Sequence, residues 1–384
     1  MDTEFKTLEV SREESFGSIE DLYKNILTEQ KLKLRLPASL HSSGALGLEV
    51  AVIQLLGTWL RTGAYTKIFH SYQDANINDF KKLCESIYGL AALSLADEVW
   101  SKSGEKVPRG MALSNAAETI ENLRNKKFEY SFKSHYFGVP CIKKPTYDQE
   151  FNVPIYNGNE VIESNAFFRQ IKQIIDAKIG TPGRIEKLDD IVDIQDLSEL
   201  LWELFKNTHD HGREAVNHSD LSLNFRGLII QQQNIDDEYV ERWCGKSPSQ
   251  HQIQLRNSWR LRGQKHQVLD LSVVDFGEGF IKLANAKAGS PDTNEGKICT
   301  ALKCFEEGWS RFPKRNRGSG LTKVLQGIQK YKGWLRIRTD NILIEKSFSE
   351  SNEPKITRDD ISVMENCVVG TAIHIALPLN RIGW

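Results

Sequence analysis

The run VLDLSVVDFGEGF at 268–280 constrains this chain more than any other segment. Its first part is apolar and β-branched, the composition of a buried strand. The run then stops on Asp275-Phe276-Gly277-Glu278-Gly279. A carboxylate at the end of a buried strand can accept a hydrogen bond from the amino group of a base. Two glycines let the following turn approach a ligand closely and pivot. Alone, the motif also reads as a plain turn.

Three other segments carry chemistry. DLSELLWELFKNTHDHG at 196–212 predicts a helix over 196–211, capped by Asp196 with Glu199 at capping-box spacing and stopped by Gly212. Leu197, Leu200, Leu201, Leu204, Phe205 and Thr208 form one stripe. Glu203 and Asn207 stand one turn apart at its edge, and His211 lies one turn further on. An amide oxygen can bind Mg²⁺ and a carboxylate can orient water toward a phosphate. By itself this pair is also compatible with two ordinary polar helix residues. RGSGLTKVLQGIQKYKG at 317–333 leads glycines into an amphipathic helix, which offers backbone N–H groups to an anion. GTAIHIALPL at 370–379 and GWLRIRT at 333–339 alternate as strands.

Taken in order, ELFKN, DFGEG, RGSGL and GTAIHIALPL resemble the GHKL-type ATP-binding domain shared by DNA gyrase B, the Hsp90 chaperones, sensor histidine kinases and MutL. The resemblance covers about residues 190–380, half of the chain. The form ELFKNTHDHG is nearest to the histidine-kinase and anti-sigma branch. The resemblance implies a two-layer α/β sandwich, a mixed sheet with helices on one face and an ATP lid. It implies ATP and Mg²⁺ as cofactors. Asn207 matches the Mg²⁺ ligand, and Glu203 the acidic residue that activates water. Asp275 matches the reader of the adenine amino group, Gly277 and Gly279 the hinge beneath the nucleotide, and Thr371 the threonine that supports the adenine end. Gly318 and Gly320 match the phosphate-binding glycines. Arg317, Ser319 and Leu321 flank them and, with His211, complete the expected nucleotide contacts. One departure stands out: 213–267 reads as a long insertion between the first two motifs. The expected lid, 281–317, holds eight basic and four acidic residues, with the excess in SRFPKRNR, so it would favour a triphosphate. ALKCFEEGW within it reads as a short helix.

The first half predicts a separate α/β module, 1–185, ahead of an ATP-binding domain, 190–384. Strands are expected at 31–40 and 65–72, helices at 45–62, 78–100 (capped by Asn78), 111–128 and 161–178, and irregular strands at 129–160. No catalytic constellation stands out there; His41 and His70 read most simply as structural or surface histidines. Fifty basic residues against 51 acidic ones give no argument for nucleic-acid or membrane binding. No helix-turn-helix or finger pattern supports direct DNA binding. Six cysteines without CxxC spacing do not read as a zinc site or a secreted disulfide scaffold. The acidic N-terminus carries no signal-peptide core, and 45–60 is too short and interrupted for a membrane span. The expected location is cytoplasmic.

Three functions share these motifs. One is an ATPase switch acting on the N-terminal module or a protein partner, with ATP-dependent dimerisation as a family expectation. The second is a protein kinase of the histidine-kinase or anti-sigma type. The third is a nucleotide-gated scaffold without turnover. Residues 142–196 contain no histidine, which disfavours autophosphorylation just upstream of the domain. The ATPase, a hydrolase in bacterial regulation or defence by analogy, is the leading expectation.

Overall fold

The computed structural model describes residues 5–29, 31–40, 46–72, 80–133, 135–145, 147–148, 150, 153–179, 192–217, 219–244, 248–259, 266–306, 320–351 and 353–379. The architecture is mixed α/β, with two principal sheets and flanking helices.

The first sheet comes from the N-terminal third. Strands β1 (Lys6–Glu9), β2 (Leu32–Arg35), β3 (Ile68–His70) and β4 (Glu98–Trp100) pair in parallel in sequence order, and β5 (Lys106–Val107) adds antiparallel. One register row, Leu8–Leu34–Phe69–Val99–Val107, is buried throughout. Between the strands run α1 (Phe16–Thr28), α2 (Leu48–Arg61), α3 (Lys81–Cys84) and α4 (Ile87–Leu95). Ser15 caps α1 by accepting the Ser18 N–H at 3.1 Å.

The single helix expected over 78–100 is instead two helices and a strand. Ser86 adopts extended backbone and accepts the Gly89 N–H, which ends α3 and starts α4. Residues 98–100 are taken into the parallel sheet as β4. The expected cap Asn78, like His41, lies outside the described residues.

The second sheet has the order β12-β13-β11-β10-β6-β7, and among the described residues its pairings are all antiparallel rather than the expected mixture. After α5 (Arg109–Ala112) and α6 (Ser114–Arg124) come β6 (Tyr136–Lys144), β7 (Tyr147–Asp148) and the hairpin β8 (Tyr156–Asn157) with β9 (Glu160–Val161). Helices α7 (Ser164–Ile174) and α8 (Ile194–His211) lead to β10 (Asn224–Ile235). Helices α9 (Asp237–Cys244) and α10 (Gln250–Trp259) precede β11 (His266–Asp275). Helices α11 (Phe280–Ala288), α12 (Asn294–Cys304) and α13 (Gly320–Lys330) are followed by the long hairpin β12 (Trp334–Ser347) and β13 (Ile361–Pro378).

Two expectations change. The segment 213–267 is not merely an insertion, because it supplies the interior strand β10. The irregular segment 129–160 supplies β6, which pairs with β10 from Tyr136↔Gln231 to Lys143↔Asn224. The second sheet therefore draws strands from both sides of the expected boundary at 185–190, which itself lies outside the described residues.

Both faces of this sheet are covered. Asp275 pairs with Thr371, and the end of α8 abuts the Asp275 side chain. His374, three residues along the same strand, points the other way, and Gly47 at the start of α2 packs on its ring. Helices on one face only were expected; α1 and α2 cover the second. Gln54 of α2 donates to the Arg338 carbonyl at 2.8 Å, so α2 is hydrogen-bonded to the sheet backbone itself.

Burying the second face brings charge inside. Arg338 is 1% exposed and makes two hydrogen bonds to the Glu20 carboxylate, at 2.8 and 3.1 Å, and one to the Asn366 carbonyl at 2.6 Å. Arg336 stacks over Phe16 at 3.9 Å and pairs with Glu345 at 3.6 Å. Removing one member of a buried pair strands the other without its counter-charge. Glu20→Ala is expected to lower unfolding stability by about 3 kcal/mol, read from urea titration, whereas Glu29→Ala, which breaks a solvent-accessible pair with exposed Lys6, should cost under about 1 kcal/mol.

Candidate functional site

Helix α8 begins one turn earlier than its sequence predicts. Asp193, in extended backbone, accepts the Gln195 N–H at 2.8 Å and is the cap. The expected cap, Asp196, lies inside the first turn, where it pairs with Lys330 and accepts the Tyr331 hydroxyl at 3.1 Å. The stripe Leu197, Leu200, Leu201, Leu204, Phe205 and Thr208 is buried as expected, which leaves Glu203, Asn207 and His211 at its partly buried edge. Gly212 ends the helix, its N–H bonded to the Thr208 carbonyl at 2.8 Å.

The end of α8 meets the end of β11 with no room for side chains. A Cβ at Gly212 would lie 2.8 Å from Asp275 Cβ, and one at Gly277 would lie 2.7 Å from Gly212 Cα. Gly370 has φ +68°, and a Cβ there would fall 1.8 Å from the Asp275 carbonyl oxygen. Asp275 is 7% exposed; its Oδ1 accepts the Gly277 N–H at 2.8 Å. Burial pushes its carboxyl up to about 6, against the lowering effects of the Gly277 N–H, the Arg226 charge, the Thr371 N–H and Arg61. Thr371 pairs with Asp275 across the strands, accepts the Phe280 N–H at 3.2 Å and lies 3.3 Å from Thr339 Oγ1. Gly279, with φ +84°, passes so close to Thr339 that a Cβ would sit 2.6 Å from its hydroxyl.

The opposite end of the same helix edge meets α13. A Cβ on Gly320 would lie 2.5 Å from Glu203 Oε2, so the start of α13 rests on that carboxylate. Leu321 follows, partly buried against the core. Asn207 lies between the two contacts, one turn beyond Glu203. The structure thus brings Glu203, Gly320, Asp275 and Gly277 along one edge of α8, with Thr371 paired to Asp275. Arg317, Gly318 and Ser319, and with them the basic cluster of 311–317, lie outside the described residues. Of the expected lid, α11 and α12 are described, and α12 contains the first part of the expected lid helix.

Three residues at this site carry no motif. Arg61, the last residue of α2, donates to the carbonyls of Phe276 at 2.6 Å and Gly277 at 3.2 Å, and pairs with Glu278 at 3.4 Å. Asn224 donates to the Gly212 carbonyl at 2.8 Å. Arg226, fully buried, sits in register with Asp275 and bonds Glu150 at 2.9 Å. Only Arg226 leaves a sequence signal, a charge inside the apolar run NFRGLII.

Among the described residues no group of three His, Cys, Asp or Glu is placed to hold a metal ion, and no helix is long and apolar enough to cross a membrane. A hard cation on Asn207 would have to take its other ligands from phosphate and water, as Mg²⁺ usually does. In comparison with protein-family models, curated proteins and solved structures, nothing matches this chain.

The raised Asp275 pKa has a stability consequence. Near pH 4 the carboxyl is close to neutral in the folded state; above about pH 6 both states are ionised and the folded state bears the full desolvation penalty. Its contribution to stability therefore falls as pH rises from about 4 to about 6. Asp275→Asn keeps the Oδ1 acceptor without the charge. Its stability relative to wild type should improve between pH 4 and pH 7 by on the order of 3 kcal/mol, measured by denaturant unfolding at both pH values. A difference independent of pH would show that Asp275 does not titrate in this way.

Proposed function

We propose that the site along α8 binds ATP with Mg²⁺ and hydrolyses it, and that turnover acts as a switch on the N-terminal region or on a protein partner. The observation that carries this reading is the convergence of sequence-distant motifs on one helix edge. Asp275, paired with Thr371 across the strands, meets Gly212 at one end, and Gly320 meets Glu203 at the other. In this reading the family lid is 281–317, which would close over the nucleotide.

Each side chain has a task that its surroundings permit. Asp275, ionised at neutral pH, accepts a hydrogen bond from an adenine amino group at the bottom of the site. Gly277 and Gly279 let the turn fold tightly against Gly212 and Thr339, beside the base that Asp275 would read. Asn207 offers a neutral oxygen to the cation, and the cation screens phosphate charge when bound. Glu203 holds a water by accepting its proton, beside the helix start whose N–H groups face phosphate.

Arg61 favours the switch over the kinase reading. It ties the 276–278 turn to α2, the helix that runs between β2 and β3 of the N-terminal sheet. Movement of the turn on nucleotide binding would pull directly on α2.

Glu203→Gln should leave ATP affinity near normal while lowering phosphate release by about 10²-fold or more. Asn207→Ala should abolish Mg²⁺-dependent binding, and Asp275→Asn should weaken ATP binding by roughly 1–3 kcal/mol. Calorimetry and phosphate release on the same folded variants check all three. Label from γ-labelled ATP appearing on protein rather than as free phosphate would move the assignment to the kinase class, and unchanged turnover in Glu203→Gln would remove that residue from the mechanism.

A further inference from the structure

A cavity of about 390 Å³ lies on the second face of the second sheet, the face opposite the Asp275 side chain. One register row crosses that face: Tyr136 of β6, Gln231 of β10 and Asp270 of β11. The row looks onto the start of α2. Tyr136 donates its hydroxyl to Glu49 Oε1 at 2.7 Å, and Asp270 Oδ2 accepts the Gly47 N–H at 3.2 Å. Asp270 is further engaged by Gln233 Nε2 at 3.0 Å and by Ser272 Oγ at 3.3 Å. Other polar groups of the lining are unused. Glu49 Oε1 also takes the Tyr88 N–H at 3.4 Å, but Oε2 accepts no hydrogen bond among the described residues. The Gln231 amide, in the middle of the row, makes none either. Both side chains are only partly buried, and these atoms keep accessible surface, so an occupant of the cavity can reach them. Between Leu48 and Leu60 of α2, Glu49 alone is not buried. The lining changes sign outward: exposed Lys82 and Lys133 stand at the mouth, beside half-buried Glu85. Leu40 and Leu48 add apolar surface.

We propose that this cavity binds a small zwitterionic amine of the aliphatic α-amino-acid class. The ammonium group donates to Glu49 Oε2 and the Gln231 amide oxygen, the carboxylate faces the two lysines, and the side chain lies on Leu40 and Leu48. A simple anion would be repelled by Glu49 and Asp270, and a simple cation would leave the lysines at the mouth without a counter-charge. A molecule that carries both charges satisfies both ends. Burial holds the Glu49 carboxyl above its ordinary value and the charge of Asp270 adds to this, against the Tyr136 hydroxyl and the Lys133 charge. An ammonium group at Oε2 therefore offsets a penalty that the folded chain already bears.

The test is calorimetric titration of the full-length protein with L-leucine at low salt. 4-Methylpentanoate, which lacks the ammonium group, and L-leucinamide, which lacks the carboxylate, are the controls. Wild type should bind L-leucine saturably, one to one, and each control about tenfold more weakly or worse. Glu49→Gln keeps an acceptor for Tyr136 and Tyr88 but removes the charge, and it should bind L-leucine about tenfold more weakly. The variant Lys82→Glu/Lys133→Glu, altered only at exposed positions, should lose the preference for L-leucine over L-leucinamide, a split that misfolding would not produce. Asp275→Asn, on the other face, should bind L-leucine as wild type does. Absence of saturation in wild type into the millimolar range, equal affinity in Glu49→Gln, an unchanged preference in the charge-reversed protein, or loss of binding in Asp275→Asn would each overturn the proposal.

Discussion

The close approach of three glycines around Asp275 is the constraint on which the second sheet and its helices depend. Gly212 brings the last turn of α8 against the carboxylate, Gly277 folds the next turn onto Gly212, and Gly370 lets β13 enter the sheet over the Asp275 carbonyl. A methyl group at Gly370 would overlap that oxygen at 1.8 Å, so β13 would have to leave its register with β11. That register aligns Thr371 with Asp275, and through Thr371 the start of α11. A single buried carboxylate is thus the meeting point of α8, β10, β11, β13 and the turn into α11. Its raised pKa is the electrostatic counterpart of that crowding: water has been displaced by backbone.

The second face of the sheet explains why the two halves of the chain are interdependent. Without α1 and α2, Trp334 would lose Phe16, His374 would lose Gly47, and Arg338 would lose Glu20. Phe16 and Trp334 pack at 6.3 Å, and Gly57 of α2 is narrow enough for the Phe276 ring to sit within 2.6 Å of where its Cβ would be. Apolar area, a buried ion pair and hydrogen bonds from the Gln54 side-chain amide to sheet carbonyls all cross the same interface. The first of these supplies most of the favourable free energy. The others fix which face of α2 is presented, since an unpaired guanidinium or amide inside would cost more than a small loss of packing.

Local chemistry was legible in the amino-acid order, and distant pairing was not. The strand 268–275, the helix carrying Glu203 and Asn207 and the strands within 333–339 and 370–379 all announce themselves through period and punctuation. Helix α8 still starts three residues earlier than Asp196 indicates, because two aspartates compete for the cap and Lys330 with Tyr331 claims the second. For a different reason, the sequence marks β6 only as part of an irregular-strand region and β10 only as part of an insertion. Both are buried over their first seven residues, so neither alternates there, and proline, glycine and Arg226 interrupt their apolar runs. What makes them strands is each other, across a separation that spans β8, β9, α7 and α8. Likewise Arg61 ends α2 as any basic residue might; only the folded chain reveals the Phe276 carbonyl at 2.6 Å.

Arg61 also bears on how a movement of the 275–279 turn would spread. The 275–279 turn is held from three directions: by Asp275 Oδ1 on the Gly277 N–H, by Thr371 on the Phe280 N–H, and by Arg61 on two carbonyls. The first two belong to the second sheet and move with it. The third originates on α2, and its guanidinium is also paired with Glu278, which Lys282 engages in turn. Burial alone would raise the Glu278 carboxyl, but the Lys282 and Arg61 contacts hold it below its ordinary value, so at neutral pH this chain of charges is intact. A turn fastened at one end to the sheet and at the other to α2 cannot shift without either breaking the Arg61 hydrogen bonds or carrying α2 along. Because α2 is buried along nearly its whole length, the second outcome would be transmitted as a displacement of the helix rather than absorbed by a side chain.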